Sequence, residues 1–244
     1  MTEQIAIREN FKYLLSRRIT KDNRLVNAQA PLTAMQYQLF SACLATLPYD
    51  CESFTDTSIT INQILGKERL IASDYANVRD AAFGLVDSSI KIKQGKHWAG
   101  IALFSYIKGC EGSNVIQFKL NDALKGFVLG LKSQGNFTTH KYGYMTYLRK
   151  SMYAMRLYEM LKQYLNIGYR EFFIDDLREL LILEGKYKLT NEFKRAVIEP
   201  AVKLINKTDL VVETEFIKKG RKITHVAFTI KDRYKQPLLP SSSE

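Results

Sequence analysis

Five residues near the end of the chain, Lys218-Lys219-Gly220-Arg221-Lys222, place four cations around one glycine with no acid among them. Flanking segments 210–217 and 223–230 are rich in Val, Ile, Phe and Thr, so the five residues form the tip of a two-stranded ribbon. Four like charges on a tip cannot be buried, and the rest of the domain must fold so that this ribbon stands free. Upstream, helical spacing runs over 191–206, with Phe193, Val197, Ala201 and Leu204 on one side. Before it come a strand and short helix at Phe172–Leu181 and a Tyr/Arg-studded helix over 151–165. Helix, strand, helix, helix and ribbon is the order of a winged helix-turn-helix domain.

The first half repeats that order. Thr33 is placed to cap a helix carrying Met35, Leu39, Phe40, Cys43, Leu44 and Leu47, ended by Pro48. Segment 58–61 reads as a strand running into a short helix at 62–65. Asp74 then caps a helix through Val86, Ile90–Ile92 is a strand, and 101–107 with 115–120 make a hairpin. The expected fold class is therefore α+β, with two tandem winged-helix domains. Residues 25–130 form the first and 131–234 the second, between a flexible N-terminal arm (1–24) and a disordered tail (235–244). The glycines at 126, 130, 135 and 143 mark the boundary.

Charge points to the ligand. Residues 1–120 hold 14 Lys/Arg against 11 Asp/Glu, a net of +3, whereas 121–244 hold 22 against 14, a net of +8. A basic excess gathered in one half suits a polyanion. Three cysteines, an odd number with no CxxC pair, argue for reduced thiols packed as small apolar residues. No run approaches the ~18 apolar residues of a membrane span. The chain is expected to be soluble and cytoplasmic, with no membrane partner.

Catalysis finds no constellation. Gly66-Lys67, Gly95-Lys96 and Gly185-Lys186 each lack the hydroxyl residue that would complete a phosphate-binding loop. His97, His140 and His225 are isolated, and Asp175-Asp176 fall in the first turn of a helix, where capping explains them. No catalytic residue, metal site or cofactor is expected.

The candidate DNA-binding residues are Arg149, Lys150, Ser151, Lys188, Asn191, Lys194, Arg195, Lys218, Lys219, Arg221 and Lys222. On the wheel of helix 191–206, Arg195 lies opposite Phe193, with Asn191 and Glu199 beside it and Lys194 on a flank. Arg suits guanine and Asn suits adenine in the major groove; the alternative is an Arg195–Glu199 surface ion pair. The cationic ribbon tip suits a phosphate backbone. Arg149, Lys150 and Ser151 combine two cations with a helix start whose free amides accept a phosphate. Tyr153, Tyr158 and Tyr164 read as packing residues, Arg156 as a partner of Glu159 or of phosphate, and Pro200 as a bend in its helix.

Several tracts carry a family resemblance: Asn136-Phe-Thr138, Tyr153 through Tyr164, Tyr187 with Phe193-Lys-Arg195, Ile205-Asn206, and Lys218 through Arg221 with His225 through Phe228. Through them the chain resembles the iteron-binding plasmid replication initiators of the Rep_3 superfamily. The resemblance implies a bacterial protein that binds direct repeats in double-stranded DNA at a plasmid origin and promotes opening of that origin. It also implies a homodimer, formed through the first domain, that represses its own gene, and hand-over of opened DNA to a host initiator and replicative helicase. Carried over by residue, groove contacts fall on Lys194 and Arg195, and backbone contacts on Lys218, Lys219 and Arg221. A tandem winged-helix transcriptional regulator without a replication role is the competing reading.

Overall fold

Two helix starts set the frame of the first domain through reciprocal caps. Thr33 Oγ1 accepts from the Gln36 amide at 3.2 Å while the Gln36 side chain accepts from the Thr33 amide at 2.8 Å, which opens α1 (Ala34–Thr46). Thr60 and Gln63 repeat the device at the start of α2 (Ile61–Leu65). The computed structural model describes residues 12–48, 50–131 and 135–235. The expected disordered tail beyond 235 and the arm up to residue 11 lie outside these residues.

The first domain continues with α3 (Ala72–Val86). Asp74 is not its cap but its third residue, reaching back to the Ile71 amide at 3.0 Å and to Lys67 Nζ at 2.6 Å. Strand β2 (Thr57–Thr60) pairs with β6 (Val115–Leu120), which pairs in turn with β5 (Phe104–Gly109). The single strand expected over 101–107 is broken. Leu103 is fully buried at the break, so β4 (His97–Ala102) turns away to pair with β3 (Ser89–Gln94) in a separate hairpin.

The second domain repeats the pattern. Helix α5 (Met152–Lys162) leads to β8 (Tyr169–Phe173), α6 (Ile174–Leu180), a broken helix α7 over 190–205, and the hairpin of β9 (Leu210–Lys219) and β10 (Lys222–Asp232). Its sheet order, β8-β10-β9, matches β2-β6-β5 of the first domain element for element. Two winged helices in tandem are present, as the sequence implies.

What the sequence does not reveal is the joint between them. Residues 18–24, expected in a flexible arm, are built in: β1 (Arg18–Asp22) pairs antiparallel with β7 (Phe137–Lys141) across more than a hundred residues of chain. Helix α4 (Tyr142–Leu148) follows, and Tyr142 donates to the Ile64 carbonyl at 2.6 Å. Every residue of α5 from Ala154 to Leu161 is buried, because this helix packs against β7 on one side and the last part of α7 on another. Glu159 on α5 meets Lys21 Nζ and His140 Nε2, each at 2.7 Å, and accepts a short hydrogen bond from the Tyr37 hydroxyl. Arg156 pairs with neither Glu159 nor solvent. It is buried and donates to the carbonyls of Val26 and Ala28 at 2.9 and 2.6 Å. Tyr158 is fully buried, and Tyr153 and Tyr164 are half-buried, as packing residues.

Candidate nucleic-acid interface

The surface carrying most of the candidate cations is assembled from α7 and the wing β9–β10. Pro200 governs α7. Lacking an amide hydrogen, it cannot complete an ordinary helical turn, and the helix answers with a π turn at Lys194–Ile198 between α segments Thr190–Phe193 and Glu199–Ile205. One extra residue in a turn sets back every later position by roughly 100°. That is why Ile205, rather than Leu204, joins Phe193, Val197, Ile198 and Ala201 in the core.

On the outer side, Asn191 and Arg195 are exposed. The Arg195–Glu199 pair does not form; Glu199 meets Lys194 instead, at 3.7 Å. Lys194 also lies 5.1 Å above the Phe216 ring of β9. It is half-buried and braces the helix against the wing. Arg195 keeps its donors free. Among the described residues it makes no ion pair or side-chain hydrogen bond.

The start of α7 is held by a residue whose role its local sequence does not betray. Arg178 of α6 donates to the carbonyls of Tyr187 and Lys188, both at 3.0 Å, and its guanidinium lies 5.2 Å from the Phe193 ring. These bonds fix the turn before the helix, where Tyr187 takes a positive φ of 51° and the Lys188 side chain is exposed. A cation three residues after Asp175 looks like an ordinary surface pair, and Arg178 makes that contact too, at 3.4 Å. The acids at 175 and 176 lie in the first turn of α6 without forming a side-chain cap. At the other end of α7, Asn206 pairs with the backbone of Val212 through both its amide atoms, at 2.6 and 2.9 Å, and locks helix to wing.

The wing tip is a two-residue turn in which Gly220, at φ 62°, takes the position that needs positive φ. Lys218, Lys219, Arg221 and Lys222 are all exposed. Lys219 and Lys222 stand directly opposite each other. Like charges so placed destabilise a strand pair unless an anion lies between or beside them.

The Arg149-Lys150-Ser151 group is divided by its surroundings. Ser151 caps α5, accepting from the Ala154 amide at 3.2 Å. Arg149 turns inward and donates a short hydrogen bond to the Leu65 carbonyl at the end of α2. Lys150 alone of the three is exposed.

The corresponding face of the first domain is chemically different. Arg79 on α3 is held by Glu111 at 3.0 Å and lies 3.4 Å from Asp80, and the β5–β6 tip carries Cys110 and Glu111 instead of lysines. Cys43 is buried as a small apolar residue, whereas Cys110 is exposed. Among the described residues no cluster of His, Cys, Asp or Glu could hold a metal ion, and no helix is long and apolar enough to cross a membrane.

A family model described as the initiator replication protein WH1 domain matches residues 18–162, and one described as the initiator Rep protein WH2 domain matches 174–230. Among solved structures, the chain is similar to the Pi initiator protein, crystallised in complex with iteron DNA. That similarity has a TM-score of 0.75 and 20% identity over 88% of this chain and 97% of that one. The selenomethionine derivatives of domains 2 and 3 of RctB align with a TM-score of 0.49 and 11% identity, over 81% and 80% of the two chains. No curated protein matches.

Proposed function

Because the chain belongs to the initiator replication protein family that those WH1 and WH2 models define, we propose that it is a sequence-specific binder of direct repeats (iterons) at a plasmid origin. The observation that carries the reading is the contrast between its two helix–wing faces. The second domain leaves Arg195 unpaired and sets Lys219 against Lys222, while the first domain neutralises Arg79 with acids. A surface that accepts like-charge repulsion with no acid among the described residues paired to it is built for a polyanion. The same fold in the Pi initiator protein, crystallised with iteron DNA, supports duplex DNA as that polyanion.

The roles divide by geometry. The N-terminal part of α7 enters the major groove, with Arg195 and Asn191 reading base edges. Lys218, Lys219, Arg221 and Lys222 follow the phosphate backbone, with Lys150 and Lys188 as further backbone contacts. Lys194 holds helix and wing at a fixed angle, and Arg178 fixes the helix start. Arg149 and Ser151 act from behind by shaping the start of α5. The protein works by binding. Copies on adjacent repeats strain the neighbouring duplex, at a bending cost of ~1–6 kcal/mol that contact energy offsets. Origin opening, repression by a dimer and transfer to host initiator and helicase are the further steps of this reading.

Footprinting over the DNA that flanks its gene tests it. Protection of several evenly spaced direct repeats is the expected result. Protection of one palindrome alone would make the chain a transcriptional regulator.

A further inference from the structure

The hairpin of β3 and β4 stands apart from both wings and has a second, unassigned chemistry. Its register puts Ile90 opposite Ile101 and Ile92 opposite Ala99, and all three isoleucines are buried. The other face therefore points to solvent. There Lys93 stands opposite Trp98, and Lys91 opposite Gly100. Trp98 is the only tryptophan in the chain and is 84% exposed. Among the described residues no ring or cation packs against it. A side chain added at Gly100 would meet nothing within 4 Å, so the ground beside the indole is open. Residues 89–102 contain three lysines, at 91, 93 and 96, and no acid.

An indole buries ~150–250 Å² when it packs, so leaving one bare on a rigid strand forgoes substantial stabilisation. That strand is held through its partner β3, where Lys91 and Gln29 exchange two backbone hydrogen bonds of 2.9 Å that tie the hairpin to the body of the protein. Flat aromatic surface flanked by cations is the composition that binds unpaired bases and their phosphates. In a duplex the base faces are already stacked, and the indole would have nothing to cover. Lys93 also borders a cleft of about 480 Å³ walled by Arg24, Asn27, Asn136 and Tyr164, but there Arg24 is bound to Asp22 and Arg170 covers the Tyr164 ring, so the free cations of this face are the hairpin's own. Face-to-face pairing of two copies is disfavoured, because it would set the lysines of one hairpin against those of the other.

We infer that the outer face of β3–β4 is a binding site for single-stranded DNA, with Trp98 stacking on a base and Lys91 and Lys93 holding the adjacent phosphates. It rests on the chain being a DNA binder, and it assigns the protein a second nucleic-acid ligand apart from the duplex held by α7 and the wing.

The lone tryptophan makes the test direct. Full-length protein is titrated with oligo-dT, with repeat duplex and with a scrambled duplex of equal length while its tryptophan fluorescence is followed. Saturable quenching by oligo-dT that the duplex does not reproduce is expected. Trp98→Ala should lower oligo-dT affinity by ~10-fold, within the range of one base stack, and leave repeat-duplex affinity unchanged. Lys93→Ala should weaken oligo-dT binding and preserve the quench at saturation. Equal quenching by duplex would overturn the inference, as would no quenching by either ligand or equal oligo-dT affinity in Trp98→Ala. A fluorescence change that follows protein concentration alone would make the face a contact between copies, and one caused only by anionic vesicles a membrane contact; either overturns it. Loss of repeat-duplex binding in the unmodified protein would instead sink the initiator reading, an outcome the duplex titration separates from these.

Discussion

Glu159 shows how much a single buried charge decides in this fold. It is fully enclosed, and burial by itself would raise its pKa. Lys21 and His140 outweigh that and hold the carboxyl well below its ordinary 4.5. Burial likewise pushes Lys21 down, but Glu159 and Tyr37 together raise it above 10.5. Because the folded carboxyl titrates lower than the unfolded one, its contribution to stability is complete above about pH 4.5 and is lost as pH falls further. The Lys21 contribution has the opposite sign, complete below pH 10.5 and lost as pH rises beyond it. Glu159→Gln, which strands a buried ammonium, should cost about 3–5 kcal/mol in urea unfolding; a cost under about 1 kcal/mol would show the network to be incidental. None of this was legible from spacing. Arg156 and Glu159 are three apart on a helix and look like partners, but α5 is buried on every side, so each takes the partner packed against its own face. The exposure of Arg195 was legible because its position on the helix wheel lies opposite the core residue Phe193. Arg195→Ala should weaken repeat binding by ~1–3 kcal/mol and relax preference at one or two base pairs. Lys219→Ala should weaken all duplexes alike and reduce the salt slope by about one phosphate's worth, ~0.9. Competition assays with single-base variants of the repeat separate the two.

At the scale of elements, α7 and the wing behave as one unit, joined by Lys194 over Phe216 and by Asn206 on Val212. The wing was readable because Gly220 and its cations leave a local mark. The position of Pro200 was readable too, but not the π turn ahead of it, since whether a helix kinks or widens at proline depends on what its two ends are anchored to. Here Phe193 and Ile205 are both fixed in the core. Pro200→Ala restores the missing amide and allows a regular turn that rotates Asn191 and Arg195 relative to Ile205. Discrimination between repeat and scrambled duplex should fall ~10-fold, about 1.4 kcal/mol, with folding intact by circular dichroism. Unchanged discrimination would mean that the π turn does not aim the reading residues.

For the whole molecule, two winged helices were visible as a repeated order of elements, whereas the seam between them was not. Strands β1 and β7 lie too far apart in sequence for any local pattern to pair them, and Lys21 and Glu159 give no sign of each other. A fragment ending at 130 lacks β7 and Glu159 and leaves β1 without its partner. It should show no cooperative thermal transition, while one ending at 165 should. Cooperative unfolding of the shorter fragment would contradict the shared core. With that core fixing both domains, the second domain exposes Arg195 on one helix and Lys218, Lys219, Arg221 and Lys222 at the tip of one ribbon. The most direct measurement is therefore the affinity of the full chain for duplex carrying the direct repeats beside its gene, against a scrambled duplex of equal length, over a salt series. Tight, stepwise binding to the repeats that persists at ~0.15 M salt, with the scrambled duplex released, is the predicted result. Equal, salt-sensitive binding to both would contradict sequence reading by α7 and leave only a basic surface.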